Sequence, residues 1–397
     1  MNNLRTRRAL RGIIHTGMLE RQGDMNATAS LRDLLREHTI EAAPELVRSD
    51  AEGALRCLAC GHRCLIREGR AGVCRVRFNK DGTLRVPGGY VAGVQVDPIE
   101  KKPFYHAYPG HDALSFGMLG CDLHCGYCQN WVTSQALRDD AAIAPPRFCT
   151  PEQLVQTALQ EGARVVVSTY NEPLITADWA MRVFERATEA GLVCGFVSNG
   201  NATPEVLDYI RPCVSLYKVD LKAFTEKGYR SLGCTLKNVL ESIERIHAMG
   251  FWLELVTLVV PGLNDDPKEL AGMARWIAAL SRDIPWHVTA FHPDYQMMDR
   301  EATSIDLIDA AYEAGREAGL NFVYPGNLHG RVGDREHTHC PQCGGRVITR
   351  RGFYVLDNRM RGGHCPDCGF TIPGVWEDTP PRHSHGNGIP RPLRLGY

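Results

Sequence analysis

From residue 113 to residue 326, short apolar runs alternate with amphipathic stretches. The runs are Leu114–Leu119, Arg164–Thr169, Leu192–Ser198, Val214–Asp220, Trp252–Val260, His287–His292 and Asn321–Tyr324. They are mostly hydrophobic, as strands covered on both faces are. The stretches between them follow the 3.6-residue period of helices. Thr150-Pro151-Glu152 and Thr203-Pro204-Glu205 each put a cap residue before a proline at the first helical position. Further helices are predicted at about 174–189, 235–248, 266–281 and 303–318. Alternation at this spacing builds βαβ units on a parallel sheet. Six or seven units predict a partial barrel, shorter than the eight of a closed one. A doubly wound open sheet is the alternative.

Outside this α/β core the pattern changes. Ser30-x-x-Asp33 has the form of a capping box, with Leu31, Leu34 and Leu35 beside it. It predicts a short helix over about 31–38. Arg346–Leu356 reads as a small hairpin between two cysteine pairs. The expected organisation is a basic tail and short helix over 1–50 and a four-cysteine module over 51–110. The partial barrel follows over 111–330 and a ribbon-like module over 331–376. The tail over 377–397 is rich in Pro, Gly, Arg and His and is expected to be disordered, with His383 and His385 solvated. Near the start, Arg5, Arg7, Arg8 and Arg11 precede only a weak apolar patch, Gly12–Leu19. That patch lacks the length and the cleavage site of a signal peptide. Met25 is a second candidate start.

The net charge is −1, so no general basic field points to nucleic acid. No apolar run approaches the ~20 residues that span a bilayer. Fifteen cysteines is a high count, and eleven of them fall into three clusters with metal-ligand spacing. Metal sites in a reducing cytosol account for this better than disulfides. The other four, Cys149, Cys194, Cys213 and Cys234, read as core residues.

The first cluster is Cys57-x2-Cys60-x3-Cys64, with Cys74 ten residues on. Four thiolates can close a tetrahedral zinc site or hold a full iron–sulfur cluster. Spacing does not choose between them, and His62 beside them reads as a bystander. The last cluster is Cys340-x2-Cys343 and Cys365-x2-Cys368, each pair with a proline inside. Two such knuckles about twenty residues apart are a zinc-ribbon signal, with rubredoxin-like iron as the competitor.

The middle cluster lies in Gly120–Asn130, GCDLHCGYCQN, just after the apolar run ALSFGML. Cys121, Cys125 and Cys128 are spaced C-x3-C-x2-C. A cubane held wholly by protein takes four thiolates. Three can cap three irons and leave the fourth open to a small ligand. The loop after a strand is also where α/β barrels keep their chemistry. Zinc is the competing occupant.

The triplet resembles the signature of the radical S-adenosylmethionine (SAM) superfamily, C-x3-C-x-aromatic-C, with Tyr127 in the aromatic slot. The resemblance implies a partial (β/α)6 barrel and a [4Fe–4S] cluster on Cys121, Cys125 and Cys128. It implies SAM chelated at the open iron and cleaved by one electron to methionine and a 5′-deoxyadenosyl radical. It also implies an electron donor of the flavodoxin or ferredoxin type.

SAM on such a cluster needs polar groups at the strand ends. After the second run come Asn171, Glu172 and Pro173, and a carboxylate with an amide suits an ammonium group. Ser198 and Asn199, with Gly200, follow the third run and suit a ribose. Asp220 and Lys222 follow the fourth and face one side, as charges that are costly in an apolar strand unless paired or used. Val260–Asp265 resembles the superfamily's glycine-containing segment near adenine. His292, at the end of the sixth run, is a candidate contact to SAM or substrate.

The motifs DPIEKKPFYHAYPG, GCDLHCGYCQN, TYNEP, VDLK and YPGN, with the flanking cysteine clusters, resemble one branch more closely. This is the group related to pyruvate formate-lyase activating enzyme, and within it the AmmeMemoRadiSam-system radical SAM enzymes. That name implies AMMECR-like and Memo-like proteins as candidate partners. Activating enzymes of the group make a glycyl radical on a protein, but the two extra cysteine modules depart from their pattern. A different class of reading is a zinc-ribbon nucleic-acid-binding protein on an inactive barrel. It would need a basic patch around Arg346, Arg350, Arg351, Arg359 and Arg361.

Overall fold

The computed structural model describes residues 31–142, 144–328, 330–382, 384 and 391–392. Ser30 of the proposed capping box, the arginine-rich start, His383 and His385 lie outside these residues. Leu31–Glu37 form a helix, belonging to a first unit that ends at Glu37. The chain from His38 onward is the second unit.

The second unit is organised by one sheet. Its parallel strands are β1 (Asp112–Gly117), β2 (Val165–Ser168), β3 (Val193–Ser198), β4 (Val214–Asp220), β5 (Trp252–Val259), β6 (Trp286–Ala290) and β7 (Val323–Gly326). They lie side by side in chain order. β1 and β7 are not paired with each other, so the barrel is open. Each predicted run became one of these strands to within two residues or so. Helices fill the connections, and the caps explain their starts. Thr150 accepts from the Gln153 N–H while Gln153 reaches back, and Thr203 accepts from the Val206 N–H.

Gly93–Pro98 adds an antiparallel strand beside β1 that the apolar runs did not predict. Arg391–Pro392 pairs with Gln95 and Val96 on its outer side. Part of the tail expected to be disordered is therefore a strand.

The segment from Asp97 to Gly110 plugs the N-terminal end of the barrel. Ile99, Phe104 and Ala107 pack fully buried on Ala113, Val165, Val167 and Leu216. Burying a side chain such as Ile99 or Phe104 contributes about 2 kcal/mol. Glu254 of β5 holds the plug by its backbone, accepting from the Tyr105 and His106 N–H groups at 2.9 Å each.

Two smaller bodies flank the barrel. The N-terminal one has two three-stranded sheets over a core of Ala42, Leu55, Ile66, Leu84 and Val86. It docks through the buried Arg77–Asp178 pair, a bidentate Arg63–Glu205 pair (2.9 and 2.7 Å) and the Gly61 N–H on the Asn201 carbonyl (2.8 Å). The C-terminal one is a three-stranded ribbon of Thr338–His339, Arg346–Arg351 and Tyr354–Asn358. Its Arg350 is 1% exposed, lies 4.4 Å above the Tyr105 ring and donates to the Tyr105 carbonyl at 2.8 Å. Arg346 and Arg359 pair with Asp334 and Asp367. Of the five arginines such a patch would use, Arg350 is thus an interior packing residue, Arg346 and Arg359 each pair with a carboxylate, and Arg351 and Arg361 are exposed.

Candidate active site

The loop Met118–Asn130 is fixed by its neighbours. The Met118 N–H donates to Asn171 Oδ1 (3.0 Å), the Gly120 N–H to the Thr133 carbonyl (3.1 Å) and the His124 N–H to the Leu232 carbonyl (3.1 Å). Gly120 has φ +97°, and a Cβ there would stand 2.9 Å from Val76 Cγ1. Only glycine takes this turn so close to the N-terminal body.

The three loop cysteines sit in a low-dielectric wall. Burial pushes the Cys125 thiol up to about 11 and raises Cys121 and Cys128 as well. Unligated, all three are neutral thiols at pH 7, so metal binding there releases protons. Cys121 Sγ accepts from the Leu123 N–H (3.4 Å), and Cys128 Sγ lies 3.2 Å from Ser134 Oγ.

Cys125, Tyr127 and Cys128 face a 490 Å³ cavity in the barrel mouth, and Lys218 and Asp220 of β4 and Lys222 just after it line the same cavity. Lys218 pairs with Asp220, and Lys222 Nζ stands 3.2 Å from Asp220 Oδ2. Burial works against the Asp220 charge, but the two ammonium groups hold its carboxyl at about 2. Burial opposes the Lys222 charge, but Asp220 holds it, and thiolates at Cys125 and Cys128 would add to this. A second pair of lysines lining the cavity shares one carboxylate: Lys101 Nζ and Lys102 Nζ lie 3.1 and 2.6 Å from Asp97. Each group holds two cations to one anion.

Asn171, Glu172, Ser198 and Asn199 come together as expected, but behind the cavity wall. Glu172 Oε1 accepts from Ser198 Oγ (2.7 Å) and the Leu174 N–H (3.1 Å), and its Oε2 from the Asn199 N–H (2.8 Å). Burial, with the charge of Asp122 nearby, pushes Glu172 up to about 8. Asn199 Nδ2 donates to Asp122 Oδ1 at 2.7 Å, which ties this network to the residue after Cys121. His292 is exposed and accepts from Gln129 Nε2 at 3.0 Å. Asn264, in the glycine-containing segment, donates to the Lys222 and Leu258 carbonyls at 2.8 Å each and staples the ends of β4 and β5.

Lys218, Lys102 and His287 line the cavity without having been singled out in the sequence. Lys218 was within reach, since K-V-D-L-K puts residues 218, 220 and 222 on one face. His287 bonds Glu254 Oε2 at 2.7 Å, a contact across strands with no local signal.

The ribbon cysteines gather differently. Cys340 and Cys368 have their Sγ atoms 3.6 Å apart, and Cys343 and Cys365 3.7 Å. A tetrahedron with ~2.3 Å metal–sulfur bonds has edges of about 3.8 Å. Among the described residues only this quartet brings its ligand atoms within 4.8 Å of one another. The quartet can hold a single metal ion. No helix among the described residues is long and apolar enough to cross a membrane.

The Radical SAM superfamily model matches residues 117–274, from the end of β1 into the helix after β5. The uncharacterized protein MJ0808 of Methanocaldococcus jannaschii is 33% identical over 325 residues, covering 81% of this chain and 96% of that protein. A second protein of that organism, MJ0804, also uncharacterized, is 22% identical over 47% of this chain and 60% of its own length. Among solved structures, a domain of pyruvate-formate lyase-activating enzyme from Bacteroides vulgatus covers 41% of this chain and 98% of that one, at 18% identity and TM-score 0.37. Streptococcus suis SuiB bound to SAM covers 54% of this chain and 50% of that one, at 14% identity and TM-score 0.42. With the cysteine triplet on the loop after β1 and an open parallel barrel around it, the chain belongs to the radical SAM superfamily.

Proposed function

We propose that this protein cleaves SAM reductively at a [4Fe–4S] cluster on Cys121, Cys125 and Cys128 and uses the radical so formed to take a hydrogen atom from a substrate in the barrel mouth. The observation that carries this reading is the placement of Cys125, Tyr127 and Cys128 on the wall of the 490 Å³ cavity that Lys218 and Lys222 also line. The loop fits a cluster in two respects. Its thiols stand wider apart than a single ion would hold them, and Lys222 offers a buried positive charge to thiolates that would otherwise repel. Bound there, the cluster supplies the single electron that breaks the sulfonium bond and leaves methionine and a 5′-deoxyadenosyl radical.

The chain's own groups do the rest. Tyr127, 4% exposed, closes the loop against solvent. Lys218 and Lys222 share Asp220, and the surplus cation suits the carboxylate of SAM's methionyl end. Glu172, neutral in part at pH 7, braces the ends of β2 and β3 beneath the cavity instead of facing it. All fifteen cysteines are free, which favours a reducing compartment such as the cytoplasm and a low-potential carrier protein as electron donor. AMMECR-like and Memo-like proteins are the candidate partners.

The test is anaerobic incubation of the reconstituted protein with SAM and dithionite, with 5′-deoxyadenosine measured. Formation of 5′-deoxyadenosine in wild type and its loss in Cys125→Ala, with an unchanged far-UV CD spectrum, is the expected result. Production retained in Cys125→Ala removes the role given to the loop.

A further inference from the structure

Cys57, Cys60 and Cys74 of the N-terminal quartet are buried, and Cys64 is half-buried. Cys64 Sγ accepts from the Val73 N–H at 3.4 Å. Yet no three of these Sγ atoms come within 4.8 Å of one another, whereas the ribbon quartet meets that spacing with all four. The two quartets, alike in sequence, are therefore built to different scales. The ribbon has the edge length of a tetrahedron around one ion. The N-terminal quartet is too open for one, and a cluster, which places several irons between its ligand sulfurs, requires that wider frame.

A second observation points the same way. Arg77 is 1% exposed. Its Nη1 donates to Asp178 and to the Ile175 carbonyl, but its Nε and Nη2 have no hydrogen-bond partner. Asp178 is its carboxylate partner, and Cys57 and Cys74 are the neighbours whose thiolate forms would act on it. The three buried N–H bonds of these two nitrogens, left unsatisfied, are costly. Thiolate and inorganic sulfur on a bound cluster would supply their acceptors.

We propose that Cys57, Cys60, Cys64 and Cys74 hold a second iron–sulfur cluster, a [4Fe–4S] group with all four irons on protein thiolates, and that Arg77 is its hydrogen-bonding and charge-balancing neighbour. The site borders the radical loop. The Gly61 N–H donates to Asn201, whose Nδ2 donates to Asp122 Oδ2 at 2.8 Å, and Asp122 follows Cys121. This assignment does not depend on the function proposed for the loop cysteines.

The test uses the full chain reconstituted anaerobically with iron and sulfide, with acid-labile sulfide, iron and zinc counted per chain. Wild type is expected to hold about eight sulfides, as two cubanes require. The triple variant Cys121→Ala/Cys125→Ala/Cys128→Ala is expected to retain about four, with a reduced-cluster EPR signal that SAM leaves unchanged. Wild type with four sulfides and the triple variant with none overturns the proposal, as does zinc filling both quartets. A triple variant with four sulfides beside a wild type that does not cleave SAM would sink the function proposed above and leave this assignment standing. In the same triple variant background Arg77→Gln is expected to shift the cluster's midpoint potential to more negative values and to speed its bleaching in air. An unchanged potential removes the role of Arg77.

Discussion

Replacing Glu254 by glutamine tests the floor of the barrel. The side chain is fully buried, and each carboxylate oxygen accepts two donors. Oε1 takes the His106 N–H (2.9 Å) and Trp252 Nε1 (3.0 Å), while Oε2 takes the Tyr105 N–H (2.9 Å) and His287 Nε2 (2.7 Å). Glutamine keeps one oxygen. Whichever way its amide turns, its NH₂ faces a backbone N–H that is left without an acceptor. An unsatisfied buried donor costs about 1–3 kcal/mol, and the loss of a charged acceptor adds about 1.5–3 kcal/mol. The expected destabilisation is about 3–5 kcal/mol, read as a lower urea midpoint at unchanged slope. The pH dependence gives a second readout. Burial opposes the Glu254 charge, but His287, His106 and Trp252 hold its pKa below the ordinary value. Its contribution is therefore present above the unfolded-state value and is lost as the pH falls through the lower folded value. Glu254→Gln should lose that acid limb. A variant within about 1 kcal/mol of wild type, with the same acid limb, would refute the reasoning.

Three further outcomes are expected. Gly120→Ala forces a side chain into φ +97° and against Val76, which should cost about 1–2 kcal/mol from the backbone alone and lower iron incorporation at the loop, measured as iron per chain. His106 is buried, donates from Nδ1 to the Pro373 carbonyl (2.8 Å) and accepts from Tyr324 OH (2.6 Å); burial lowers its pKa to about 4. Its stabilising effect is whole above the unfolded value of 6.5 and fades as the pH falls through about 4, so a melting temperature that stays flat from pH 7 to pH 4 would contradict the assignment. Asp220→Asn leaves Lys218 and Lys222 without their shared counter-charge, and a change on the order of tenfold in SAM affinity, equivalent to about 1.4 kcal/mol, should appear by equilibrium binding without a comparable loss of fold.

Much of this was legible in the chain. The seven strands follow from their apolar runs, and Thr150 and Thr203 announced their helices because cap and proline act locally. The cysteine triplet gave its loop because ligand spacing is a local property too. The network beneath the site was not legible in the same way. Glu254 bonds residues 148 and 149 positions earlier, and Arg350 reaches Tyr105 across 245 positions. A carboxylate in WLELVTLVV and an arginine in RVITRRG each signal a partner by being expensive to bury, but neither says which. The strand Gly93–Pro98 was missed because its pairing is antiparallel and its ends are glycine and proline, residues that read as a turn. Glu172 illustrates the remaining gap: its neighbours Asn171, Ser198 and Asn199 were grouped by their strand ends, while the side on which a loop residue points is set by hydrogen bonds that the pattern does not encode.

The ribbon's hairpin tip brings Gly352 and Phe353 onto the wall of the reaction chamber, while Cys343 and Cys368, which anchor that hairpin, are open to solvent. One side of the chamber is thus hung on a fastening that reagents reach from outside. A metal in that quartet would lie within reach of a chelator too large to enter the barrel, at the base of the hairpin that carries Phe353.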